Sequence, residues 1–345
     1  FFFFFRQTPV KFFCAFFCGC ESVSSNFFFF FFGRTLSKPP SRGDLLFDKT
    51  FRILTAVFTW ATILLLAYII YQIGGKAAPA FSKLGLKFLV GKTWNASAEQ
   101  FGILPQIWGT LYSSFLALIL GGFFGITIAI FTTQDFLPHK VELVLKNIIE
   151  LLAAIPSVVY GLWGMYVLVP LIRPIANFLH GHLSFIPFFS TQYNSRGMLP
   201  AALVLSIMIL PTIAAISQDA FRAIPHKTKE AAFGLGTTRW EAILRVMLPT
   251  ASGGIFGALV LGFGRALGET MALAMLIGSM STVTLSIFSP ADTIAALLAN
   301  AFPEAQVGLE TEALLYAACV LLLITLAVNI IGTLTINATT AGGKK

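Results

Sequence analysis

Six apolar runs, each long enough to cross about 30 Å of hydrocarbon, constrain this chain more than any other feature. They are Ile53–Ile73, Ile107–Phe131, Leu151–Ile172, Met198–Ser217, Gly253–Ser279 and Ala313–Ile336. A bilayer core offers backbone N–H and C=O groups no water, so apolar runs of this length cross it as helices. The expected fold class is an all-α integral membrane protein with six transmembrane helices. Composition agrees, with 57% hydrophobic and only 11% charged residues, where a soluble domain carries about 25% charged.

Lysine and arginine in the connections set the orientation. With the 221–250 connection in the cytoplasm, thirteen basic residues fall inside and six outside, the bias that membrane insertion favours. Both termini are then cytoplasmic. The net charge of +8 is spent on topology, so no nucleic-acid partner is expected. Lys76, Lys83, Lys87 and Lys92, between spans one and two, run against the bias.

The chain divides by composition. Residues 1–36 are a Phe-rich low-complexity segment without methionine, expected not to be native protein, with translation beginning near Leu36. Residues 37–106 hold a basic lead-in, the first span and an outer loop. A core of five spans occupies 107–336 and a short cytoplasmic tail 337–345. Cys14, Cys18, Cys20 and Cys319 form no disulfide framework or zinc spacing. GLKFLVGKT (Gly85 to Thr93) is one residue too long between its glycines for a phosphate-binding loop and lies in an outer connection. No catalytic residue, metal or cofactor is expected.

Glycines in the second span (Gly109, Gly121, Gly122, Gly125) predict close helix packing. Pro156, Pro170, Pro200 and Pro211 punctuate the third and fourth.

Between spans four and five lies a polar stretch, EAAFGLGTTRWEAILRVMLP (Glu230 to Pro249). Pro225 suits the first turn of a helix carrying Glu230, Ala231 and Ala232. Gly234 and Gly236 break that helix. Thr238 with Glu241 forms a capping box that starts a second, which Pro249 is expected to end. Two adjacent alanines would let a partner's backbone approach. The order Glu-Ala-Ala, three residues, Gly236, nine residues, Val246-Met247-Leu248-Pro249 resembles the EAA loop of ABC-importer permeases, with Val246 where that family usually has Ile.

Arg265 and Glu269 lie within the fifth apolar run. A mid-membrane arginine costs about 2.5–3.5 kcal/mol on insertion scales, so it must face protein or a wet path. Spaced i and i+4, the two would share one helical face, either as a self-contained ion pair or as part of an anion path. The planar donor fork of arginine suits tetrahedral oxyanions.

GRALGETMA around these charges, IELLAAIPSVVYGLWG (Ile149 to Gly164) and the EAA loop together resemble the PstC family of phosphate ABC-importer permeases, more than the companion PstA family. The likeness runs from about Lys38 through the last span. It implies a multi-pass inner-membrane subunit that is not itself an enzyme. Its implied partners are a PstA-like permease sharing the path, a dimer of ATP-binding cassette ATPases, a periplasmic phosphate-binding protein and the surrounding lipid. Arg265 and Glu269 match the family's substrate path. Glu230, Ala231, Ala232, Gly236, Val246, Leu248 and Pro249 match its ATPase-coupling surface. A permease for another oxyanion, such as sulfate or molybdate, is the alternative.

Overall fold

The structure, a computed structural model, describes residues 42–95, 98–134, 136–193, 195–306 and 308–342. The Phe-rich segment, its expected start near Leu36 and the last three residues lie outside them. Six helical stretches are long and apolar enough to cross a membrane: Leu46–Leu84, Leu104–Thr133, Ser157–Leu183, Met198–Arg222, Arg239–Leu267 and Leu309–Ile336.

Helix α1 is Arg42–Leu84, and the chain divides within it, after Gln72, into two units. The first unit contributes the earlier part of α1, with Leu46, Phe47, Trp60 and Leu64 exposed, as a membrane span requires. The helix runs on past Ile73 through Pro79, so Lys76 and Lys83 stand on a helix rather than in the expected loop.

The second unit starts at Ile73. After α1 come a short α2 (Lys87–Val90) and a two-residue-per-strand hairpin, β1 (Trp94–Asn95) against β2 (Gln100–Phe101). A Cβ on Gly91 would meet the Gly102 Cα at 2.8 Å. The glycine of the false phosphate loop therefore serves a backbone crossing.

The packed centre is α3 (Leu104–Thr133) against α7 (Met198–Arg222), with α10 (Leu248–Leu267) laid on α7. Glycines set these distances. A Cβ on Gly125 of α3 would meet Ile213 Cγ2 at 2.9 Å, and one on Gly262 of α10 would meet Ile213 Cγ1 at 2.7 Å. Ile213, fully buried, thus fills two notches from opposite sides. Gly254 receives Ala220 in the same way, its absent Cβ 2.4 Å from the alanine methyl.

The third span differs from expectation. Helix α4 (His139–Ala154) stops before Ile155 and Pro156, both extended, and the span itself begins with α5 (Ser157–Trp163). Proline pushes the preceding residue out of the helical region, so the apolar run from Leu151 belongs to two helices. A π turn (Gly164–Leu168) then carries α5 into α6 (Val169–Leu183).

Pro249 does not end a helix either. From α9 (Arg239–Ala242) a π turn (Ile243–Met247) leads straight into α10, with Pro249 in its first turn. Proline lacks an N–H, and its ring collides with the carbonyl four residues back. Just upstream of Pro170 and Pro249 the helix widens by one residue: the Val169 N–H bonds Gly164 O, and the Leu248 N–H bonds Ile243 O. The wider turn lets the helix continue past each ring.

The fifth span is shorter than the apolar run. Helix α10 ends at Leu267, Gly268 caps it, and α11 (Met271–Leu276) is separate. An extended segment then reaches α12 (Ile294–Ala301), and α13 (Leu309–Gly342) closes the chain.

The start of α3 is locked to that segment. Gln106 is fully buried, and its Nε2 donates to Ser281 Oγ at 3.1 Å and to Asp292 Oδ2 at 3.4 Å. The Thr293 N–H donates to Asp292 Oδ1 at 2.9 Å, and the Ile294 N–H to Thr110 Oγ1 at 3.0 Å. A Cβ on Gly109 would fall 2.0 Å from the Asp292 carbonyl oxygen. The tightest glycine of the second span therefore admits a backbone rather than another helix.

Candidate functional site

Two clusters carry the residues singled out by sequence. The first lies where α3 and α7 end. Helix α8 (His226–Gly234) follows Pro225, which is its N-cap. Leu235 is the C-cap and Gly236 the next residue, at φ +78. Positive φ at this position is where helices end on glycine. A Cβ on Gly236 would touch nothing, so conformation rather than space demands the glycine.

Helix α9 opens on the capping box. The Glu241 N–H donates to Thr238 Oγ1 at 3.3 Å, and the Thr238 N–H donates to Glu241 Oε2 at 3.0 Å. The Thr237 hydroxyl reaches back to Ala232 O at 2.8 Å, tying the two helices together. Ala232, Ala242, Ile243 and Met247 bury against Ala129 and Ile130 of α3 and Phe221 of α7. Val246 and Leu248 pack at the edge of this cluster.

Glu230, Ala231, Gly236 and Pro249 stay exposed. The alanine pair is thus divided: Ala232 is the anchor, and Ala231 faces outward. Sequence reasoning missed four large apolar residues exposed on this stretch, Phe233, Leu235, Trp240 and Leu244, with Leu235 85% exposed. Their signal was present, since apolar side chains in a polar connection have no bilayer to enter.

The second cluster lies at the far end of α10. Arg265 occupies its last turn with its side chain exposed, and Nη1 donates to Thr212 Oγ1 of α7 at 3.1 Å. Helix α10 stops two residues before Glu269, whose N–H bonds Ala266 O at 3.4 Å. The i, i+4 helical face expected for Arg265 and Glu269 therefore does not form. Glycine at 268 ends the helix before the spacing is complete. Among the described residues no ion pair joins Arg265 to Glu269; Glu142, by contrast, is paired with His139 and Lys146.

A guanidinium has five donors and Thr212 takes one, leaving a fork open on an exposed face. That arrangement can receive a tetrahedral anion through charge-assisted bonds. Among the described residues no group of three or more His, Cys, Asp or Glu is placed to hold a metal ion.

Residues 121–338 match the family described as binding-protein-dependent transport system inner membrane component. The chain is 41% identical over 290 residues to a phosphate transport system permease protein PstC of Pasteurella multocida, covering 83% of this chain and 89% of that protein. It is 37% identical over 285 residues to the PstC of Mesorhizobium japonicum, covering 81% and 87%. A probable PstC of Methanocaldococcus jannaschii is 35% identical over 289 residues, covering 82% and 91%. Among solved structures, the fold is similar to a chain of a bacterial alginate ABC transporter in complex with its pentasaccharide-bound periplasmic protein. The TM-score is 0.57 at 17% identity, over 83% of this chain and 94% of that one. An inward-facing MetNI methionine ABC transporter chain gives 0.51 at 16% identity, over 69% and 95%.

Proposed function

From a chain that belongs to the binding-protein-dependent transport system inner membrane components, and among them to the PstC permeases, we propose a phosphate-conducting subunit driven from its α8–α9 element. It is a multi-pass inner-membrane transport permease of the ABC type. Its transmembrane path is shared with a companion, PstA-like permease. A periplasmic binding protein delivers phosphate to it, and ATP is hydrolysed on partner subunits. Both termini lie in the cytoplasm, on the same side as α8 and α9.

The coupling surface is the exposed part of Glu230–Pro249. Ala231 and the apolar Phe233, Leu235 and Trp240 present exposed surface to the ATPase. Ala232 and Met247 hold this stretch to the ends of α3 and α7. Closure of the ATPases would push on α9, and α9 continues into α10.

One observation carries the substrate reading: Arg265 sits at the end of α10, exposed, steadied by one neutral hydrogen bond and, among the described residues, paired with no carboxylate. A cation held this way is ready for an oxyanion. The site must release what it takes, and Glu269, four residues on, is the group that reclaims Arg265 in another conformation of the cycle.

The test is phosphate uptake normalised to assembled complex in the membrane. Arg265→Gln is expected to assemble and not transport. Arg265→Lys is expected to be partly active, because the ammonium keeps the charge and loses the fork. Excess sulfate or molybdate is expected not to compete. Normal uptake by Arg265→Gln would overturn the path, and competition by sulfate would reassign the substrate.

A further inference from the structure

Threonine in a membrane helix usually turns its hydroxyl onto the carbonyl one turn back. Thr110, Thr127, Thr132, Thr133, Thr250, Thr325 and Thr333 all do so here, at 2.6–3.0 Å. Thr212, in the middle of α7, does not donate to Met208 O. Its oxygen accepts from Arg265 instead. Its own proton has no acceptor among the described residues.

We infer that Thr212 is a second arm of the oxyanion site, aiming Arg265 and donating its hydroxyl proton to the same anion. Three observations carry this, and it rests on the reading of Arg265 as the path cation. The position of Thr212 is fixed: the next residue, Ile213, is wedged between Gly125 and Gly262, and Gly262 lies one turn before Arg265. Thr212 is only partly covered, and Arg265 beside it is exposed, so both face the same open side. The bond also has a direction. A hydroxyl that accepts from a guanidinium is polarised and becomes a stronger donor through its own proton.

The two groups then divide the labour. Arg265 supplies charge and most of the donors. Thr212 holds the guanidinium plane in one orientation and adds a donor at a fixed angle to it. An anion with several acceptor oxygens can take both at once.

Two substitutions at this position separate the proposal from simple packing. Thr212→Val keeps the branched shape and loses the hydroxyl, whereas Thr212→Ser keeps the hydroxyl and loses the methyl. A packing role predicts that valine is harmless and serine costly, because a valine side chain fills an apolar helix interface as well as threonine does. The anion site predicts the reverse order. Losing a hydrogen bond to a charged group is worth about tenfold or more. Thr212→Val is therefore expected to lower phosphate uptake per assembled complex about tenfold, with Thr212→Ser close to the parent. Uptake by Thr212→Val equal to the parent, or by Thr212→Ser as poor as by Thr212→Val, would overturn the assignment.

Arg265→Gln is measured in parallel. If it is inactive while Thr212→Val is normal, the role of Thr212 alone falls. If Arg265→Gln transports normally, the path reading falls with it.

Discussion

Replacing Asp292 by asparagine is expected to stabilise the protein, by an amount that grows as pH rises from 3.8 and is complete above about pH 6. The side chain is 4% exposed, and its bonding partners, Gln106 and Thr293, are neutral. Burial pushes its carboxyl from 3.8 up to about 6, and the bonds from Gln106 and Thr293 oppose that rise only in part. The neutral form therefore persists to higher pH in the folded chain than in the unfolded one. Between pH 3.8 and about 6 the folded state holds a proton that the unfolded state has lost, so stability falls as pH rises through this window.

Above the window the whole cost is present. A shift of about two units at about 1.4 kcal/mol each comes to about 3 kcal/mol. Asn at this position has the same shape and no charge to bury. Its carbonyl can still accept the Thr293 N–H, and its amide can donate to Gln106 Oε1, which is buried without a partner among the described residues. Thermal unfolding of the detergent-solubilised complex at pH 8 is expected to shift upward by several degrees for Asp292→Asn. At pH 4 the difference is expected to vanish. An equal shift at both pH values, or a less stable variant at pH 8, would refute the argument, because neither follows from relieving a buried charge.

Two further substitutions test the two ends of α3. Gly109→Ala places a methyl where the Asp292 carbonyl lies 2.0 Å away. Backbone cannot rotate aside as a side chain can, so a loss of about 1–3 kcal/mol is expected, read as a lower unfolding temperature in detergent. An unchanged unfolding temperature would place Asp292 elsewhere. Gly236→Val meets no neighbour yet must adopt φ +78, which a β-branched residue resists. Membrane abundance is expected to be normal, with poor co-purification of the ATPase. Normal pull-down would remove α8 from the coupling surface.

The sequence marked best what depends on near neighbours. The capping box needs only Thr238 and Glu241, three residues apart, and it stands as expected with both of its bonds. Gly236 announces its own positive φ. The six spans were legible because hydrocarbon selects composition over a whole turn-by-turn stretch. Boundaries failed where two rules met. Leu151 and Leu152 are as apolar as the third span, and only the geometry of Pro156 assigns them to α4. Pro249 was expected to stop a helix, and a wider turn upstream removes the need to stop. Arg265 and Glu269 have helical spacing, but Gly268 ends the helix between them. The bonds of Gln106 to Asp292 and of Thr212 to Arg265 join residues 186 and 53 positions apart. No local pattern encodes such a pair.

The uninterrupted passage from α9 through the π turn into α10 has a consequence for which changes of length this chain can accept. Arg239–Leu267 spans 29 residues, a rod of about 43 Å at about 1.5 Å per residue. The capping box fixes one end against turning, and the Gly254 and Gly262 notches fix its middle. Adding or deleting one residue between Trp240 and Ala251 would screw the far part by about 100°. Arg265 would then swing away from α7 and the notches would face the wrong side. Residue identity can drift along this rod, as Val246 already does, but the count cannot. Any relative that keeps both the box and the arginine should keep the interval between Thr238 and Arg265 free of gaps.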